Sequence, residues 1–130
     1  GDPLLGICVG MQAFFESSEE FGAFGGLGLM PGRVVRFREA AGYKVPHTGW
    51  NQLWPKNGGG PLLKGLPPGS YAYFNHSYYC QPAAEDIRAE TDYVDNFACV
   101  VQYQNIQGAQ FHPEKSQRVG LKILQNFLEY

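Results

Sequence analysis

The apolar positions begin with a short run, Leu4, Leu5 and Ile7, that stops at Cys8. Beyond it Val9, Met11, Ala13, Phe14 and Phe15 are spaced as in a helix, so the pattern predicts a strand over residues 4–7 and a helix over 9–18. Glycines at 22, 25, 26 and 28 then break the chain into a loop. Residues 33–38 (R-V-V-R-F-R) alternate as a strand, and residues 45–53 form a second extended piece carrying Pro46 and Trp50. Three glycines make residues 56–61 a flexible turn. The aromatic segment 70–79 and the segments 89–93, 97–103 and 106–111 also read as strands, with 97–103 apolar enough to be buried. Residues 116–130 give the clearest helix. Val119, Ile123 and Phe127 recur every four residues, Leu124 and Leu128 widen the stripe, and Ser116 stands where a cap would.

Composition narrows the class. A chain of 130 residues, 44% apolar and 15% aromatic, is sized for one packed domain. Its net charge of -2, with no Lys/Arg cluster, gives no footprint for nucleic acid or an anionic membrane surface. No apolar run is long enough to span a bilayer and no signal-peptide pattern is present, so the expected location is cytoplasmic. Cys8, Cys80 and Cys99 are odd in number and lack C-x-x-C spacing, and therefore read as reduced thiols. The chain opens at Gly1-Asp2, without a Met, directly before what reads as an interior strand.

Two short patterns carry chemistry. G-I-C-V-G (Gly6 to Gly10) has the outline of a nucleophile elbow, in which a strand turns sharply into a helix and small neighbours let the backbones pass closely. A thiol there is favoured as thiolate by the helix N-terminus, and the Val9 N–H points where an oxyanion would form. A buried cysteine in a glycine-rich turn fits the same five residues. The second pattern is His112-Pro113-Glu114. Proline holds the preceding residue extended, and i, i+2 spacing puts His112 and Glu114 on one side, where Glu114 can orient the imidazole. An exposed turn entering a helix is the alternative. Joined in space, Cys8, His112 and Glu114 would be nucleophile, base and orienter. His47, His76 and His112 lack metal-ligand spacing, and no metal or cofactor is expected.

Together these residues resemble a known family. G-I-C-V-G-M-Q and G-A-Q-F-H-P-E-K-S-Q look like the class I, triad-type glutamine amidotransferases. With P-H-T-G-W-N, Y-F-N-H-S-Y-Y and G-L-G-L-M-P-G-R-V-V-R-F they are similar to the glutaminase subunits of imidazole glycerol phosphate synthases, over essentially the whole chain. The resemblance implies one domain over residues 1–130, the C-terminal two thirds of the family domain. Its fold would be an α/β, truncated class I glutamine amidotransferase (flavodoxin-like) fold, an open mixed sheet with flanking helices.

The implied roles are Cys8 as nucleophile, His112 as base, Glu114 as its partner and Val9 as an oxyanion-hole donor. Gln12 and Glu20 would hold the glutamine, beside the backbone of His76, Ser77 and Tyr78. The implied partner is a (β/α)8-barrel cyclase that receives ammonia, docked at Trp50, Asn51, Tyr73 and Lys115. Thr48 and Asn75 stand where apolar residues are commoner in the family, so supply to a different synthase is a second reading. The family's N-terminal third, with a glycine-rich loop that completes the oxyanion hole, has no counterpart among these residues. An impaired chain, self-associating through an exposed Leu4-to-Ile7 strand edge, is therefore a third reading.

Overall fold

A computed structural model describes residues 3–19 and 24–129. Ten strands and two α-helices follow in order: β1 (Leu4–Ile7), α1 (Val9–Gln12), β2 (Phe15–Ser18), β3 (Phe24–Gly25), β4 (Met30–Arg36) and β5 (His47–Pro55), then β6 (Ser70–His76), β7 (Tyr78–Pro82), β8 (Ile87–Tyr93), β9 (Asp95–Tyr103), β10 (Ile106–Ala109) and α2 (Gln117–Leu128). The strands form a six-stranded sheet, β1-β10-β9-β8-β5-β6, and a four-stranded sheet, β3-β2-β4-β7. Both are mixed. β1 runs parallel to β10 and β2 parallel to β4, while the other pairings are antiparallel.

The chain crosses between the sheets at two corners that matter below. At the first, β1 leaves the large sheet, α1 turns once and β2 joins the small one. At the second, Ser77 alone separates β6 in the large sheet from β7 in the small one. Residues 70–79 thus form two strands instead of one. The alternation of β6, with Ala72, Phe74 and His76 inward, ends at this corner.

The helix expected over residues 9–18 is a single turn. Phe14 and Phe15 are buried with Met11, Met30 and Val34 in one core cluster, and residues 15–18 pair along β4. Apolar residues at 11, 14 and 15 satisfy a helix face, but pairing with β4 decides the local structure, as tertiary context commonly does. The C-terminal helix stands as read, with a shifted face. Ile123 and Gly120 are buried and Val119 and Phe127 pack on the larger core, whereas Leu128 is 82% exposed. Asn126 takes an inward position and donates to the carbonyls of Leu62 and Lys64. Ser116 makes no capping bond to α2. Its hydroxyl donates to the His112 carbonyl at 2.7 Å and accepts the Tyr73 N–H at 2.9 Å, tying the H-P-E turn to β6.

β1 is an edge of the large sheet among the described residues, with Leu4 exposed. No described helix is long and apolar enough to cross a membrane.

Candidate active site

Cys8 sits at the first corner with φ 54° and ψ -111°, a left-handed conformation that costs a non-glycine residue about 1–3 kcal/mol. Its backbone is fixed on both sides. The Cys8 N–H donates to Ala109 O at 2.7 Å, and its carbonyl accepts the Gln12 N–H at 3.1 Å. The close approach of backbones explains Gly6 but not Gly10. A Cβ on Gly6 would lie 2.5 Å from the Phe14 ring and 2.8 Å from Met11 N, whereas one on Gly10 meets nothing within 4 Å among the described residues. Since α1 has only four residues, its macrodipole is small; what it offers Cys8 is the local N–H groups of its first turn.

The two corners face one another across a cleft of about 260 Å³. Cys8, Val9 and Gln12 line it from the first corner, and Asn75, His76, Ser77 and Tyr78 from the second. Cys8 is 7% exposed. Its thiol donates to the Asn75 carbonyl at 3.9 Å, and its sulfur accepts the Gln110 amide at 3.6 Å. Gln12 uses its Nε2 twice, towards Tyr78 O and Gln110 Oε1, each at 3.0 Å. What Gln12 can add for a ligand is therefore its acceptor oxygen. Glu20 lies outside the described residues.

His112 follows β10 with an extended backbone, and its N–H donates to Tyr73 O at 2.9 Å. Pro113–Lys115 is a 3-10 turn rather than extended chain, and that turn brings Glu114 Oε1 to 3.2 Å from His112 Nδ1. The pairing leaves Nε2 as the ring's other functional atom. His76, which lines the cleft, is held neutral first by burial, with smaller contributions in the same direction from His47 and His112.

His47 and His76 form a second histidine pair, buried beneath the cleft, with Nδ1 of His47 3.0 Å from Nε2 of His76. Their rings pack against Phe37, Phe74 and Phe97. Burial, the largest cause in each case, pushes His76 down to about 3 and His47 to about 4 from 6.5. Burial likewise pushes the Cys80 and Cys99 thiols up to about 12, which leaves both inert near neutral pH.

On the outer face Trp50 is 47% exposed and meets the Tyr73 ring edge-on at 5.9 Å, with Lys115 Nζ 6.0 Å from that ring. Asn51 turns inward and donates to Asp92 O and to His47 Nε2. Thr48 donates to Asn75 Oδ1 across β5 and β6, so these two exposed polar residues satisfy each other. Sequence reasoning passed over Gln110 and His47 as site residues. Gln110 carried a weak signal, a second glutamine in the strand-like segment 106–111 just before His112; His47 gained its place only through the register that sets it opposite His76.

The glutamine amidotransferase class-I family model matches residues 1–130, and the chain belongs to that family. Among its relatives, the imidazole glycerol phosphate synthase subunit HisH of Gloeobacter violaceus is 51% identical over 131 residues, covering 99% of this chain and 58% of the relative. The subunit of the same name from Desulfitobacterium hafniense is 52% identical over 130 residues, covering 98% of this chain and 59% of the relative. The crystal structure of a putative GMP synthase protein from Thermoplasma acidophilum superposes with TM-score 0.67 at 25% identity, over 98% of this chain and 56% of the other. The chain thus has the class I glutamine amidotransferase fold and spans about three fifths of the length of these relatives.

Proposed function

We propose that this chain is the glutamine-hydrolysing part of an imidazole glycerol phosphate synthase and passes ammonia to a (β/α)8-barrel cyclase in histidine biosynthesis. The observation that carries the reading is Cys8 in a strained corner, lining with Gln12 a cleft that Ser77 and Tyr78 close from the other side. Membership of the glutamine amidotransferase family and identity near 50% to HisH subunits support glutamine as the substrate.

In this mechanism Cys8 Sγ attacks the side-chain carbonyl carbon of glutamine while His112 takes the thiol proton. The Val9 N–H donates to the oxyanion. The intermediate collapses as the C–N bond breaks, His112 delivers the proton to the departing nitrogen, and ammonia leaves. A water that gives its proton to His112 then attacks the thioester. Glutamate departs and the proton returns to sulfur. Glu114 holds the His112 tautomer, while Gln12 accepts from the substrate's α-ammonium group through its oxygen. Glu20 is a second group proposed to bind the substrate. Trp50, Tyr73 and Lys115 form the docking face for the cyclase, and Asn51 supports it from beneath.

Glutamate release measured with and without a cyclase partner tests this reading. Turnover should require Cys8, with Cys8→Ala losing about 10⁴-fold or more. Absence of Cys8-dependent release even with the partner would overturn it in favour of a silent binding module.

A further inference from the structure

Gln110 is fully buried in the segment after β10, and the hydrolytic scheme above gives it no role. Its orientation can nevertheless be derived, because the network holding it ends on an atom that can only accept. The Tyr78 carbonyl takes His76 Nδ1 at 2.7 Å and Gln12 Nε2 at 3.0 Å. The second contact makes the NH2 of Gln12 the end that faces Tyr78. The remaining hydrogen of that NH2 meets Gln110 Oε1 at 3.0 Å. Gln110 is thereby turned so that its own NH2 lies towards Cys8 Sγ, at 3.6 Å. The same carbonyl orders the other branch. With its proton on Nδ1, His76 accepts from His47 Nδ1 through Nε2, and His47 Nε2 accepts the Asn51 amide at 3.3 Å. One backbone oxygen fixes the polarity of Gln12, Gln110, His76 and His47, and one branch ends on the sulfur.

We propose that Gln110 is a further catalytic residue whose buried amide N–H donates to the Cys8 sulfur and stabilises the thiolate, with Gln12 and the Tyr78 carbonyl as the groups that position it. The proposal rests on Cys8 being the nucleophile. On deprotonation Cys8 gives up the S–H donated to Asn75 O, while the bond from Gln110 becomes charge-assisted and gains strength. A donor in a buried site of this kind holds the anion where water is scarce. The titratable groups around Cys8 are His76 and Tyr78 from the second corner and His112, paired with Glu114, beyond β10. None lies on β1, α1 or β10, whose other residues carry no charge. With His76 neutral near pH 7, the amide of Gln110 is a neutral donor to sulfur supplied from beneath the cleft.

Alkylation of the full chain by iodoacetamide across pH reads the thiolate directly, without glutamine or a partner. Cys80 and Cys99 stay silent in this assay. Gln110→Met keeps the volume and removes the donor, so the Cys8 midpoint should rise by about 1–2 pH units. A folded Gln110→Met chain with the wild-type midpoint would overturn the proposal. Should that variant not fold, wild-type chain labelled with ¹⁵N-glutamine decides. The Gln110 side-chain NH2 resonances should move with the Cys8 titration, and resonances that stay flat across it overturn the proposal. A chain that never turns over glutamine, but whose midpoint still rises in Gln110→Met, defeats the reading of the reaction and with it the catalytic role of Gln110, while the donation to the Cys8 thiolate stands.

Discussion

The two histidine pairs use one side chain for opposite ends. His112 stands half-buried at the end of a tight turn, with a carboxylate 3.2 Å from its Nδ1. His47 and His76 lie among phenylalanine and tyrosine rings, their described hydrogen-bond partners are each other, a backbone carbonyl and an amide, and both are held neutral. A carboxylate partner keeps an imidazole available for moving protons. A second imidazole in an apolar setting turns it into a fixed donor and acceptor, useful for geometry. The difference lies in the neighbours, which predicts that loss of the first pair appears in turnover and loss of the second in stability.

The largest contrast is expected in activity. With the cyclase partner present, His112→Ala should lower glutamate release by at least about 10³-fold, and Glu114→Gln by less, because an exposed carboxylate is partly replaced by water. Turnover that survives His112→Ala unchanged would erase the distinction between the pairs.

Stability should respond the other way. His76→Leu strips the His47 Nδ1–H of its acceptor and Tyr78 O of one donor, at a cost of about 1–3 kcal/mol by urea denaturation. His112→Leu should cost under about 1 kcal/mol in the same experiment, since that ring is partly solvated. Equal losses would mean that both pairs are structural.

A third contrast is in pH dependence. In the unfolded chain both buried histidines protonate as pH falls through 6.5, but in the folded chain only near 4 and 3. The unfolded state therefore binds more protons across that interval, so stability is full above pH 6.5 and falls on acidification towards pH 4. The slope is at most about 1.4 kcal/mol per pH unit for each histidine. Urea midpoints that do not change between pH 7 and pH 5 would show that the pair is not held neutral.

Much of this arrangement was legible in the chain. The strand ending at Cys8, the extended His112, the final helix and most strands follow from patterns within a few residues, because alternation, proline geometry and i, i+4 spacing are local constraints. The reading failed where local patterns are degenerate. Apolar residues at 11, 14 and 15 suit either a helix or one turn followed by a strand, and only the pairing of Phe15 with Met30 separates them. Ser116 satisfies a capping rule, yet its hydroxyl binds β6 and the H-P-E turn. Glycines at 6 and 10 look equivalent by spacing, but only Gly6 has a ring against it.

By itself the sequence determined which residues can do chemistry: a thiol at a strand-to-helix corner, a histidine two positions from a glutamate, and the family to which both belong. Only the tertiary structure decided how they are poised. The cleft exists because two chain crossings between separate sheets meet, and the direction of the hydrogen bonds through Gln12, Gln110, His76 and His47 beneath it follows from the Tyr78 carbonyl. Those contacts join residues up to 102 positions apart, from Cys8 to Gln110, and no pattern within a few residues can encode a hydrogen bond of that span.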